Sequence, residues 1–177
     1  MIDFEAKLTT INNWTIIVLP DDASKQLPSR GQVMVKGTIN SLPFQSALEP
    51  DGNGGHWLNV DAETQKATGL HLGDTATLEI EATKDWPEPS IPTDVQTALD
   101  NDAGVQARWI DITPMARWEW LRWIGATNNT ETRARRIEVS FSKLRAGERR
   151  PCCFNRSMCC VPEVSKNGVL LDEPAVA

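Results

Sequence analysis

The residues best suited to chemistry lie near the end of the chain. Pro151-Cys152-Cys153-Phe154-Asn155-Arg156-Ser157-Met158-Cys159-Cys160 holds all four cysteines of the 177 residues. Thiolates are soft ligands, so Cys152, Cys153, Cys159 and Cys160 are candidate ligands for Zn or Cu(I), or partners in thiol redox chemistry. Arg149, Arg150 and Arg156 lie nearby in sequence and would favour the thiolate form. The spacing departs from the usual zinc pattern, in which two to four residues separate paired cysteines. Adjacent side chains also diverge, which makes them awkward ligands to one tetrahedral ion. The pairings Cys152 with Cys159 and Cys153 with Cys160 stay geometrically open. The plainer reading is a cluster of thiols that holds no ligand.

A second candidate is a basic helix. Arg133 and Arg136, with Arg150 further on, carry planar forks suited to phosphate or carboxylate. The plainer reading is a solvated face with some pairs to the acidic barrel, with Glu131 and Arg135 four apart as an intrahelical pair. His56 and Trp57 follow the loop Asp51-Gly52-Asn53-Gly54-Gly55, so a pocket edge at His56 and Trp57 is a third candidate. His71, the other histidine, falls in a tight turn. Asp21 with Asp22, and Glu79 with Glu81, are paired carboxylates, the second pair reading as the outward face of a strand. No serine or cysteine has a recognisable histidine and acid around it. No phosphate loop, dinucleotide fingerprint or His-Glu-x-x-His motif occurs. No catalytic residue is assigned.

The elements that would position these residues divide at a proline-rich stretch. Before it the chain alternates. Trp14-Thr15-Ile16-Ile17-Val18-Leu19 is apolar on both faces and reads as a doubly buried strand. Val33, Val35 and Ile39 share a face with Gly37, opposite Lys36 and Thr38. Asn40-Ser41 reads as a two-residue turn into Leu42-Pro43-Phe44-Gln45, where Pro43 demands a strand start or an edge. His56 to Val60 is a short strand, and Ala62 to Leu72 gives one or two helical turns. Ala76, Leu78, Ile80 and Ala82 form an inward set. Short strands at close spacing predict a small β-barrel over residues 1–84.

Residues 85–92 hold three prolines and read as a stiff connector. Thr93 to Asp102, Val105 to Ile110, the segment after Thr113-Pro114, and a helix from about Thr130 follow, making 93–147 helical. Trp118, Trp120, Leu121, Trp123 and Ile124 give one helix a wide apolar arc. Trp118 and Trp120 cannot face the same way. Ala134, Ile137, Phe141 and Leu144 stripe the last helix, and Gly147 ends it. Residues 148–177 are expected to form an extended, cysteine-containing tail. The fold class is α+β, mainly β.

The net charge is −6, unevenly placed. Residues 1–116 hold 17 Asp/Glu against seven Lys/Arg, whereas residues 117–156 hold ten Lys/Arg against four Asp/Glu. The acidic barrel half argues against nucleic acid, because binders of phosphate backbones are usually basic. No stretch has the length and apolarity of a membrane span, and the start lacks the charge and apolar run of a signal peptide. The expectation is a cytoplasmic protein without membrane insertion, whose cysteines are reduced.

Trp14 through Pro20, then Val35-Lys36-Gly37-Thr38-Ile39-Asn40, then Gly69-Leu70-His71-Leu72-Gly73-Asp74 resemble the small β-barrel domain of unknown function in bacterial YdeI/OmpD-associated proteins. Glu131-Thr132-Arg133-Ala134-Arg135-Arg136-Ile137, with Leu144 and Gly147, is similar to that family's carboxy-terminal helical motif. The resemblance covers about residues 1–147 and implies a double-split, AbrB-like barrel with helices at its side. The family's names imply tolerance of antimicrobial peptides or bacteriocins and a link to a porin. The family usually places a lysine shortly before Glu-Thr-Arg, where this chain has Ala126-Thr127-Asn128-Asn129. The reading is a non-enzymatic ligand-binding or stress-tolerance protein for a small molecule or peptide, with homodimers open. The alternatives are a thiol-based metal or redox module and a DNA-binding regulator.

Overall fold

The computed structural model describes residues 1–151 and 155–171. They form two compact units. Met1–Asp85 and the described residues from Asn155 onward make one, and Trp86–Phe154 makes the other.

The first unit is a closed six-stranded antiparallel barrel. Its strands are β1 (Ile2–Ile11), β2 (Trp14–Val18), β3 (Val33–Ile39), β4 (Leu42–Pro50), β5 (His56–Asn59) and β6 (Thr75–Ala82), in the order β1-β2-β5-β4-β3-β6. β1 closes the ring against β6, Ile2 opposite Ile80 and Ala6 opposite Ala76. Alternation fills the interior: Leu8, Ile17, Val35, Ile39, Leu48, Leu58, Leu78 and Ile80 are buried together. β1 is the longest strand and was not picked out in the sequence, although Ile2-Asp3-Phe4-Glu5-Ala6-Lys7-Leu8 alternates cleanly. Ala82, expected inward, is exposed at the strand's end. Ile16 and Ile17 are both fully buried, as the doubly apolar strand requires.

Two local features make closure possible. A side chain at Gly37 would put its Cβ 1.9 Å from the Glu79 carbonyl oxygen, so only glycine lets β3 cross β6 this closely. Asn40 and Ser41 both have positive φ, at 48° and 67°, which matches the twist of a two-residue hairpin. That turn makes Ile39 and Leu42 the hydrogen-bonded pair. Pro43 opposite Thr38 then directs its missing donor away from β3. β5 pairs with β4 only at Leu48, Glu49 and Pro50, so Pro43 interrupts no ladder there.

Asp21 and Asp22, candidates for a carboxylate pair, instead open a short helix, α1 (Asp21–Lys25). α2 (Ala62–Thr68) is capped by the Asp61 carboxylate and ended by left-handed Gly69.

The second unit contains α3 (Thr93–Asp100), α4 (Ala103–Asp111), α5 (Pro114–Gly125) and α6 (Thr130–Arg145). The Thr113 hydroxyl caps α5 with Pro114 in its first turn, and the Asn129 amide oxygen caps α6. Val95, Leu99, Val105, Trp109, Trp120, Ile124, Phe141 and Leu144 share its core. Of the stripe expected on α6, Ile137, Phe141 and Leu144 pack against the core and Ala134 is exposed, while Arg133, Arg136 and Ser140 join the packed side. Arg133 and Arg136 widen the stripe through the Asp94 ion pair and the Trp123 carbonyl. Among the described residues no helix is long and apolar enough to cross a membrane.

The segment expected as an extended tail is structured where described. A 3₁₀ turn (Arg156–Met158) leads to a small hairpin, β7 (Ser165–Lys166) and β8 (Val169–Leu170). Val161 and Val164 pack in one cluster with Ile11, Ile16 and Trp57 on the outer wall of the barrel. This strap belongs to the barrel unit.

Candidate functional site

An open concave surface of the barrel unit lies on its outer wall beside Gly37. β3 sets Lys36 opposite Glu81 and Thr38 opposite Glu79, while β4 brings Pro43 beside Thr38 and Phe44 beside Gly37. Pro43 shares the outward face of Thr38 and Glu79, while Phe44, paired with inward Gly37, packs against the barrel core and borders the hollow. The hollow is about 330 Å³ and is lined by Lys36, Thr38, Pro43, Phe44, Glu79 and Glu81 among others. A second hollow of about 620 Å³ shares Thr38 and Glu79 and adds Asn40, Ser41 and Thr77. The Lys36 ammonium stands 3.2 Å from Glu81. The Asn40 side chain accepts from the Thr77 N–H, and the Asn40 N–H donates to the Thr77 carbonyl, which ties the hairpin tip to β6. The lining offers an apolar patch, hydroxyls and carboxylates. It suits binding of a partly cationic group and presents no nucleophile with an adjacent base. Glu79 and Glu81 were read from the sequence as a plain solvent face. Pro43 and Phe44 were missed, because only strand pairing sets Pro43 on that face and brings the core-packed Phe44 to the hollow's border.

The residues chosen from the sequence are placed elsewhere. His56 is fully buried, so the expected pocket edge is corrected. Its Nε2 lies 3.0 Å from the Gly31 carbonyl and its Nδ1 3.4 Å from the Ser24 hydroxyl. Burial pushes the imidazole pKa below its ordinary value and outweighs the Gly31 carbonyl, which pulls it up. Trp57 is also fully buried, edge-on to Trp14 with ring centroids 5.8 Å apart, beneath the strap.

Arg133 forks onto Asp94 of α3 through two bonds, of 2.6 and 2.9 Å. This holds the Asp94 carboxyl below its usual range. Arg136 donates to the Trp123 carbonyl at 2.7 Å and lies over the Trp123 ring. The pairs expected with the barrel are corrected: Arg133 and Arg136 bind α3 and α5 of the helical unit. Four other arginines of the basic segment behave alike. Arg117 pairs with Glu88, Arg145 with Asp102, Arg149 with Asp111 and Arg150 with Glu119. Forks committed to carboxylates are not open to phosphates, so the DNA reading gains nothing here.

Cys159 and Cys160 are buried. Cys160 Sγ lies 3.5 Å from the Ser165 carbonyl. Cys152 and Cys153 lie outside the described residues. Among the described residues no three His, Cys, Asp or Glu side chains converge to hold a metal ion. The Zn or Cu(I) reading therefore hangs on the two cysteines whose positions are not described.

The architecture defines a class of protein: a small closed barrel followed by a helical unit braced by arginines. Residues 4–80 match the model described as a domain of unknown function (DUF1905). Residues 88–147 match the one described as "Bacteriocin-protection, YdeI or OmpD-Associated". The two matches fall on the barrel and the helices in turn, and the chain belongs to the YdeI/OmpD-associated family with an amino-terminal DUF1905 barrel. No curated protein matches it.

Proposed function

We propose that the chain is a non-enzymatic binding protein serving tolerance of an antimicrobial peptide, and that the barrel's acid-rimmed groove takes a cationic peptide. The observation that carries this is the groove itself, with Phe44 and Pro43 beside Glu79 and Glu81. The groove's size falls at the small end of ligand sites, enough for one or two side chains of a peptide. Residues 1–85 hold 12 Asp/Glu against six Lys/Arg, which draws cations to this wall. The bacteriocin-protection description of the helical match supports the same class of partner. In this reading His56 and Trp57 support the barrel, and Arg133 and Arg136 support the helical unit.

The test is calorimetric titration of the protein with a Lys/Leu amphipathic peptide at low and high salt. Glu79→Gln combined with Glu81→Gln should weaken binding about tenfold, as the loss of two rim charges implies. Equal affinity in the variant, or no binding by the parent at low salt, overturns the proposal.

A further inference from the structure

The chain holds two Asn-Gly pairs, Asn53-Gly54 and Asn167-Gly168, and the fold brings them together. Asn167 and Gly168 turn the strap's hairpin, where a Cβ on Gly168 would lie 3.2 Å from the Gly52 carbonyl oxygen and 3.6 Å from Asn53 Cβ. The two pairs differ in what holds them. Asn167 and Gly168 have positive φ, at 53° and 78°, and Lys166 pairs with Val169 across the turn. Asn53 is exposed in the loop Asp51-Gly52-Asn53-Gly54-Gly55, between two glycines with φ of 90°. The Asp51 carboxylate accepts from the Asn53 and Gly55 N–H groups, at 2.7 and 2.9 Å, and passes over Gly54 between them. Among the described residues neither the Gly54 N–H nor the Asn53 side-chain amide makes a hydrogen bond. The side-chain amides of Asn12, Asn40, Asn101, Asn129 and Asn155 are all bonded. At Asn53 a nucleophilic nitrogen and the carbonyl it can attack are therefore adjacent and both uncommitted.

We propose that Asn53 is a site of self-modification: it cyclises onto Gly54 and deamidates in the folded chain, and the product loosens the strap. The Gly54 nitrogen attacks Asn53 Cγ. The N–Cγ bond forms, the Cγ–Nδ2 bond breaks, and Nδ2 leaves as ammonia with the proton that the Gly54 nitrogen gave up through water. Water then opens the succinimide. Hydrolysis at Cγ gives aspartate. Hydrolysis at the Asn53 carbonyl carbon gives isoaspartate, whose main chain runs through Cγ. No electrons are transferred, and water is the only co-reactant. Ring closure needs rotation about the Asn53 ψ angle, which glycines on either side permit. The same rotation at Asn167 would break the Lys166–Val169 pair. Either product places a second carboxylate beside Asp51, and isoaspartate also lengthens the loop by a methylene. This loop anchors the strap: the Ser165 hydroxyl donates to the Asp51 carbonyl, and Gly168 packs against Gly52.

The experiment ages the full folded chain in mildly alkaline buffer, where an amide proton is lost more readily, and maps its peptides by mass. The expected result is that residue 53 gains the mass of an amide-to-acid exchange, as a mixture of aspartyl and isoaspartyl peptides, ahead of Asn167. Trypsin should then cut after the exposed Lys166 of the strap faster in the aged chain than in the fresh one. Asn53→Gln, whose longer side chain closes its ring far more slowly, should age without either change. An Asn53 that keeps its amide overturns the proposal, and so does conversion of Asn167 first. A deamidated chain whose Lys166 is cut no faster than that of the fresh chain also overturns it. None of these readouts depends on Glu79 or Glu81, so peptide binding at the groove stands or falls separately.

Discussion

In the barrel, positions facing inward hold Ile17, Val35, Leu48, Leu78 and Ile80, all nearly or fully buried. In the helical unit, positions of similar burial include Arg117 and Glu119. Arg117 donates to the carbonyls of Trp109, Ile110 and Ile112, which end α4, and pairs with Glu88 of the proline-rich segment. Glu119 receives both arms of Arg150. A closed ladder satisfies its own backbone and needs only apolar filling. Short helices leave four N–H groups open at one end and four carbonyls at the other, and here an arginine fork takes three carbonyls at the end of α4. The lesson concerns charge. The basic segment that looks like a ligand surface in the sequence is internal bracing in the fold.

Three perturbations bear on this contrast. The largest effect is expected from Leu78→Ala, which opens a cavity in the barrel. It should cost about 4 kcal/mol of unfolding free energy by urea titration. A loss below about 1 kcal/mol would mean that the barrel interior is not the close-packed core described. Arg117→Met comes next, at about 3 kcal/mol, because three helix-end carbonyls lose their donor while the aliphatic stem is kept. A neutral result would show that the helices hold together by apolar packing alone, and would remove the contrast between the units.

The smallest effect concerns pH and belongs to the barrel. His56 has a folded pKa below the unfolded 6.5, because burial disfavours its charged form. As pH falls through 6.5 the unfolded chain binds the proton first, so stability declines until the folded pKa is passed. Above 6.5 the residue contributes no slope. Unfolding free energy measured between about pH 7 and 5 should fall with acid in the parent. The decline should be shallower in His56→Asn. Identical slopes would mean the buried ring is not what titrates.

Much of the fold was legible because its signals are local. Gly37 among inward valines, the Asn40-Ser41 turn, Thr113-Pro114 at a helix start and the three prolines of 85–92 each state a backbone requirement within a few residues. The candidate site was not legible, because it is made by pairing. Phe44 reaches the groove through its position beside Gly37, and Glu79 acquires meaning from Thr38 across the ladder. The arginines misled for the same reason: Arg133 and Asp94 are 39 residues apart and meet only when α3 and α6 pack.

Alternation and turn chemistry in the chain itself determined a closed sheet followed by helices, since period and punctuation are properties of neighbours. Tertiary structure alone decided which charges are spent on bracing, which apolar wall the strap covers and which carboxylates remain beside a groove. Those outcomes depend on contacts between residues far apart in sequence, where desolvation and a matched partner, not residue type, set the role of a side chain.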